Sequence, residues 1–311
     1  MISNRYNNDG KPSVPMNDLQ IEMKNKIEEK LYNRLYKTET VPCVICNKTI
    51  FEKIAEKDRY GFNYRVCICS NCGLVQTMPR MTKESYEQLY NYEYHKLNKG
   101  KDVPNKEYFE FQYNRGREIY DYFKSQNYII NNKNVLEIGC GSGGILKYFQ
   151  EKENQVIGVD LSSDRIDYGR EEHDLELYNI PLKDYKTNIT LDLIIMSHVV
   201  EHFTDPLEEL KILSEFVNKN TLILILLPGI KNIEQSYDGN LLKYFQLPHT
   251  YHFSFNTITN LMNKAGYQLI CGNEEIYSIF SYCPDQHEQS ISNDYESIIC
   301  FLEEIENRLW K

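Results

Sequence analysis

The feature that most constrains this chain is an apolar strand running straight into a glycine-rich turn. Val135-Leu136-Glu137-Ile138 leads into Gly139-Cys140-Gly141-Ser142-Gly143-Gly144, and the helical stretch Ile145–Gln150 follows. Glycines let a backbone turn tightly and approach a ligand closely. The helix that begins after them offers free N–H groups. From Asn134 onward, apolar segments alternate with helical patterns. Strands are expected at Val135–Ile138, Gln155–Val159, Leu191–Met196 and Leu222–Leu227, with helices over 143–152, 163–172 and 205–217. That alternation predicts βαβ units and a parallel sheet.

The turn restricts the ligand. Asp160 ends the next strand, nineteen positions after Gly141, where a carboxylate accepts hydrogen bonds from ribose hydroxyls. Gly139, Gly141 and Gly144 also satisfy the GxGxxG dinucleotide pattern, which is a weak motif. Glu137 decides between the two readings. A pyrophosphate needs positive potential at such a turn, and a carboxylate two residues before the first glycine opposes it. S-adenosylmethionine has no phosphate and carries a sulfonium and an ammonium, so an acid there is tolerated or helpful.

These residues resemble class I S-adenosylmethionine-dependent methyltransferases. Glu137–Gly143 is similar to their first motif, E-x-G-x-G-x-G, and Gly158-Val159-Asp160 to the second-strand motif. Leu191–His198 resembles the fourth strand, and Val200-Glu201-His202-Phe203-Thr204-Asp205-Pro206 the "EH…DP" segment after it. Leu222–Pro228 resembles the fifth strand, and His252–Phe255 with Ala265-Gly266-Tyr267 the "H-x-x-F…AGF" segment. The resemblance runs over about residues 130–283 and implies an α/β, Rossmann-like, mostly parallel sheet of seven strands. It implies cofactor contacts at Glu137, Gly139, Gly141, Gly143, Asp160, Leu161, Leu182 and Ser197. The segment 178–188 departs from the usual acidic pattern, which bears on Leu182.

Five of the nine cysteines fall within residues 43–72. Cys43-x-x-Cys46 and Cys69-x-x-Cys72, with 22 residues between the pairs, have the spacing of a zinc ribbon. Four thiolates leave no open position, so the expected zinc is structural. Cys67 reads as a spare thiol, and Cys140, Cys271, Cys283 and Cys300 as buried, nearly apolar residues. The paired cysteines resemble the N-terminal metal module of methyltransferases in sugar and surface-polysaccharide pathways. Tyr94 and His95 fall in the tyrosine-rich segment that follows it there, which implies a lid.

Methyl transfer to a hydroxyl or an acidic C–H needs a proton acceptor, and histidine is a natural one. His252 is the first candidate, because its loop should lie over the methyl. Tyr251, His198 and His202 are the other catalytic candidates, with His198 closer to the cofactor and His202 on a helix start. His198-x-x-Glu201-His202 also fits an inverted zinc-protease pattern, which requires a helix. Glu201 reads equally as a partner of a histidine or as a solvated charge.

The expected organisation is an N-terminal extension and helix at 1–40, a zinc ribbon at 41–78, a helical linker or lid at 79–128, a catalytic domain at 129–283 and a closing helix at 284–311. Residues 1–20 are expected to be loosely attached. The net charge of −10 argues against nucleic acid as a partner. The most apolar run, Leu222–Leu227, is too short to span a membrane. The polar N-terminus lacks the apolar stretch of a secretory signal, so a cytoplasmic location is expected. The acceptor expected is a small molecule such as a nucleotide-linked sugar. The alternatives are a nucleic-acid or protein methyltransferase docking through the ribbon, a non-catalytic cofactor-binding protein, and nucleotide-dependent oxidoreduction.

Overall fold

The computed structural model describes residues 2–101, 105–285 and 290–310, without the side chain of His95. Seven strands form the main sheet: β1 (Asn134–Ile138), β2 (Gln155–Val159), β3 (Glu176–Tyr178), β4 (Leu193–Ser197), β5 (Leu222–Leu226), β6 (Tyr267–Cys271) and β7 (Tyr277–Tyr282). Their spatial order is β6-β7-β5-β4-β1-β2-β3. Strands β3, β2, β1, β4 and β5 are parallel, while β7 runs antiparallel to both β5 and β6. Chain order reverses between β1 and β4. In open α/β sheets the ligand crevice lies beyond the strand ends at such a point.

The strands are continuous Val/Ile/Leu runs because helices cover both faces. Side chains alternate across the sheet. Leu136, Ile194 and Ile225 enter one core, while Val135, Ile195 and Leu224 enter the other. The second core is closed by Ile119 and Phe123 of helix Asn105–Ser125 and by Phe149 of helix Gly144–Gln150. The first is closed by Leu210 of helix Pro206–Leu213, Leu261 of helix Phe255–Lys264, and Cys43, Cys69, Cys72 and Leu74. The cysteine-rich segment is therefore part of a main core. Asp192 fastens the start of β1, its Oδ2 accepting from the Asn134 N–H at 2.9 Å.

The front strands Phe51–Lys57, Asn63–Cys69 and Val75–Thr77 form an antiparallel sheet. Its fourth strand comes from far along the chain: Tyr251–His252 pairs with it, Tyr251 opposite Gln76 and His252 opposite Val75.

Three expectations need correction. The segment 2–20 is anchored at Tyr6, which is buried and whose hydroxyl donates to Glu306 on helix Tyr295–Leu309, while residues 7–12 are exposed. An aromatic ring with a polar tip anchors a segment whose composition is otherwise hydrophilic. The helix expected over 205–217 covers only Pro206–Leu213, capped by Asp205, whose Oδ1 accepts from the Glu208 N–H. Cys300 is exposed, and Cys271 and Cys283 are half-buried. The lid reading for His95 lies outside the described residues.

Leu224→Ala should lower unfolding stability by about 2–5 kcal/mol, because the site is fully buried in the strand layer. Chemical denaturation checks this, and a cost under about 1 kcal/mol would contradict the packing described.

Candidate active site

The glycine turn leaves β1 at the crevice. Gly139 has φ +71°, and a Cβ there would stand 2.5 Å from Cγ2 of Val199; Gly141 has φ +54°, and its Cβ would meet the Tyr108 ring at 2.8 Å. Both positions therefore require glycine by conformation and by space. Gly143 caps helix Gly144–Gln150. The Asp160 carboxylate closes the turn, Oδ2 accepting from the Gly141 N–H and Oδ1 from the Ser162 N–H, each at 2.8 Å. Each oxygen retains a lone pair.

Glu137 is 1% exposed, and its Oε2 has no hydrogen-bond partner. Burial first, and then the Asp160 charge, push its carboxyl well above the usual range. A buried carboxylate without a donor is costly, and a cationic ligand in the crevice relieves that cost. Leu182 is buried on a 3-10 turn, Leu161 is exposed beside Asp160, and Ser197 ends β4 in register with Leu226.

Sequence reasoning missed the cover over the turn. Helix Asn105–Ser125 lays Tyr108 against Gly141, with the Arg165 guanidinium 4.1 Å from the Tyr108 ring centre. Gln112 is buried: its Nε2 donates to the Cys140 carbonyl at 2.9 Å, and its Oε1 accepts from the Ser142 N–H and hydroxyl. The only signal was a polar residue on the buried face of an amphipathic helix.

The histidines converge on the sheet end beside β4. His198 adopts φ +57°, and its N–H donates to the Leu226 carbonyl at 2.7 Å. This left-handed backbone is uncommon outside glycine and worth notice at a crevice. His198 Nδ1 stands 3.4 Å from Oε1 of Glu201, which is 1% exposed and so not a solvated charge. Burial pushes Glu201 up, but His198 and His202 outweigh it and the net direction is down. His202 lies on the 3-10 turn Val200–His202, just before the helix that begins at Pro206, so the α-helix that the inverted protease pattern needs is not formed there. The Tyr90 hydroxyl is 2.6 Å from its Nδ1, and the His249 ring centre is 4.8 Å away. Burial holds His202 and His249 below the usual histidine range.

His252 is 1% exposed, packed against Phe245 and Tyr244, with Nε2 3.4 Å from the Tyr64 hydroxyl and Nδ1 unpartnered. Burial pushes it down to about 3. Neighbours along a strand point to opposite faces. Tyr251 therefore leaves this cluster and binds Arg80 Nη1 through its hydroxyl at 2.7 Å.

Cys43, Cys46, Cys69 and Cys72 bring their sulfurs within 4.8 Å of one another, with Cys43–Cys72 at 3.5 Å and Cys46–Cys69 at 3.4 Å. Metal–sulfur bonds of about 2.3 Å put the sulfurs of a tetrahedral ion about 3.8 Å apart, so the set fits one ion. Cys67 faces Gln76 and Lys53 across the sheet and stays outside it.

Residues 110–271, just over half of the chain, match the family described as a methyltransferase domain. The chain belongs to that family. A 64-residue segment is 39% identical to putative methyltransferase 235L of Invertebrate iridescent virus 6, covering 20% of this chain and 23% of the relative. A 56-residue segment is 36% identical to malonyl-[acyl-carrier protein] O-methyltransferase of Pectobacterium atrosepticum, covering 16% and 22%. The matched segments thus span under a quarter of these curated relatives. Among solved structures, mitomycin 7-O-methyltransferase aligns at 13% identity over 64% of this chain and 60% of that one, with a TM-score of 0.49. A TehB-like methyltransferase of Corynebacterium glutamicum aligns at 17% identity over 64% and 97%, with a TM-score of 0.40.

Gln112→Leu should cost about 1–3 kcal/mol, because it strips hydrogen bonds from buried groups of Cys140 and Ser142. Hydrogen exchange at Ser142 should accelerate along with the loss of stability. Unchanged protection at that amide would show that Gln112 does not hold the turn.

Proposed function

We propose that the chain transfers a methyl group from S-adenosylmethionine to an oxygen or carbon of a small molecule, for which a nucleotide-linked sugar is our leading candidate. The observation that carries this reading is Glu137, buried beside the glycine turn with an orphaned carboxylate oxygen. Burial raises that carboxyl toward its neutral form; the ammonium and sulfonium of the donor would favour its charged form, whereas a pyrophosphate would disfavour it further. When bound, the donor supplies the methyl group; the chain positions it and provides a proton acceptor. Asp160 would take the ribose hydroxyls on its remaining lone pairs, and Leu182 would offer an apolar ledge to the base.

A histidine of the cluster would accept the proton. His198 is our first choice: it follows β4 directly, opposite the glycine turn, with Glu201 behind its ring. His252, favoured by its place in the sequence, is kept neutral by burial and is held at about 3, far from the value that suits a general base near neutral pH. We assign it to lining the acceptor pocket beside Tyr64. The four cysteines would hold a structural zinc that locks the front sheet. The net charge of −10 favours a small acceptor over nucleic acid. No described helix is long and apolar enough to cross a membrane.

Calorimetric titration should show S-adenosylhomocysteine binding and no NADH binding; the reverse pattern would end this reading. Incubation with candidate nucleotide sugars and donor should add one methylene to a product, detected by mass spectrometry. His198→Ala should lower turnover about 10²-fold or more with donor affinity nearly unchanged, and unaltered turnover would remove it as the base. Cys69→Ser should lose about one zinc per chain and lower the melting temperature. Retention of that zinc would exclude the four-cysteine assignment.

A further inference from the structure

Apart from the cysteines, the described residues bring one further set of metal-ligating atoms together. One donor atom each from Glu201, His202 and His249 lies within 4.8 Å of the others. Glu201 and His249 are buried and His202 nearly so. Glu201 is held by long contacts: the nitrogens nearest Oε1 are His198 Nδ1 at 3.4 Å and His202 Nε2 at 3.9 Å.

His202 is held on its other side. Nδ1 is 3.1 Å from the Pro248 carbonyl oxygen, which can only accept. The Tyr90 hydroxyl also lies 2.6 Å from Nδ1 and 3.4 Å from the same carbonyl; in the tautomer with Nδ1 donating to Pro248, Nε2 turns its lone pair toward the carboxylate. A ring held by an N–H to a backbone carbonyl, with the opposite nitrogen bare, is the usual arrangement of a metal-ligating histidine. The Gln246 side-chain amide lies against the ring nitrogens of His249; with its oxygen turned toward the ring it would accept the N–H of one nitrogen and leave the other bare for a metal. In that tautomer of His202, a carboxylate oxygen and an imidazole lone pair face each other in a buried site and repel unless a cation lies between them.

We propose that Glu201, His202 and His249 bind one divalent transition-metal ion at a site separate from the four cysteines. Two imidazoles and one carboxylate suit zinc, iron or manganese better than magnesium or calcium, which prefer all-oxygen sets. Metal–ligand bonds of about 2.0–2.2 Å place neighbouring donors about 3–4 Å apart, so binding draws the three side chains slightly together. Three protein ligands leave further coordination positions, which water can fill. Metal occupancy is read without turnover, so this inference stands or falls apart from the methyl-transfer reading.

The test is metal content of the full chain after saturation with zinc, or with iron(II) or manganese(II) in parallel, and removal of loose ions. About two equivalents are expected in the native sequence: one on the cysteines and one on this group. Glu201→Gln, which is nearly isosteric, should reduce that to about one. Cys72→Ser should lose only the thiolate-bound ion. Cobalt(II) gives an independent readout: thiolate charge-transfer bands should survive Glu201→Gln, while the weaker visible bands of nitrogen–oxygen coordination should disappear. A single equivalent in the native sequence with every metal would overturn the proposal. So would two equivalents retained by Glu201→Gln with unchanged cobalt spectra. If His249→Ala fails to fold, Glu201→Gln and the cobalt spectra still decide.

Discussion

The architecture of the site depends on one short ladder, the antiparallel pairing of Tyr251–His252 with Val75 and Gln76. The Thr77 N–H also donates to the Thr250 carbonyl at 3.0 Å, beyond the ladder itself. Through these bonds the front sheet and the loop after β5 become one surface. His249, Thr250 and His252 are then not on a free loop: their backbone is held by strands that end at Cys69 and begin after Cys72. A cation on the four sulfurs would act at a distance, fixing the two knuckles from which the sheet grows. The same sulfurs also pack against the catalytic sheet, since Cys43, Cys69 and Cys72 share a core with Leu136 and Ile225.

That dependence explains the division of labour between the two halves of the crevice. The glycine turn, Asp160 and Glu137 belong to the βαβ frame and are set by strands buried on both faces. The cluster around His202 is assembled from three sources: the turn after β4, the segment 244–252, and tyrosines carried by the front sheet and helix Lys83–Tyr92. Tyr64 donates to the His249 carbonyl and Tyr90 contacts His202. The glycine turn and the histidine cluster therefore rest on different supports.

The frame was legible because its signals are local. Continuous apolar runs marked β1, β2, β4 and β5 within two residues of their observed ends, and the glycine spacing located the turn. Cysteine pairing could be read from spacing alone, because two thiolates on one knuckle need two intervening residues. The acceptor side was legible only as a list of histidines. A two-residue strand such as Tyr251–His252 has no periodicity to detect, and its partner lies more than 170 positions away. Glu201 resembles any charged residue near a helix start, and only the fold buries it. Tyr6 was hidden in the same way, since the carboxylate that accepts from its hydroxyl, Glu306, is 300 residues distant.

Two buried carboxylates now set the electrostatics of the crevice. Glu137 lies on β1 and Glu201 just after β4, the neighbouring strand at the switch point. Glu137 leaves one oxygen without a hydrogen-bond donor, and Glu201 is held by long contacts, although burying such a group poorly paired is among the costlier things a fold can do. Asp160 adds a third acid within the same turn. Positive charge comes from Arg165, which lies over Tyr108, and from Arg59, whose charge reaches His249, while His202 and His249 are kept neutral by burial. Such a crevice is poorly suited to a polyphosphate at the turn. It is suited to ligands that bring positive charge with them, a sulfonium and an ammonium beside Glu137 and a metal cation beside Glu201, and each would relieve a cost already built into the folded chain.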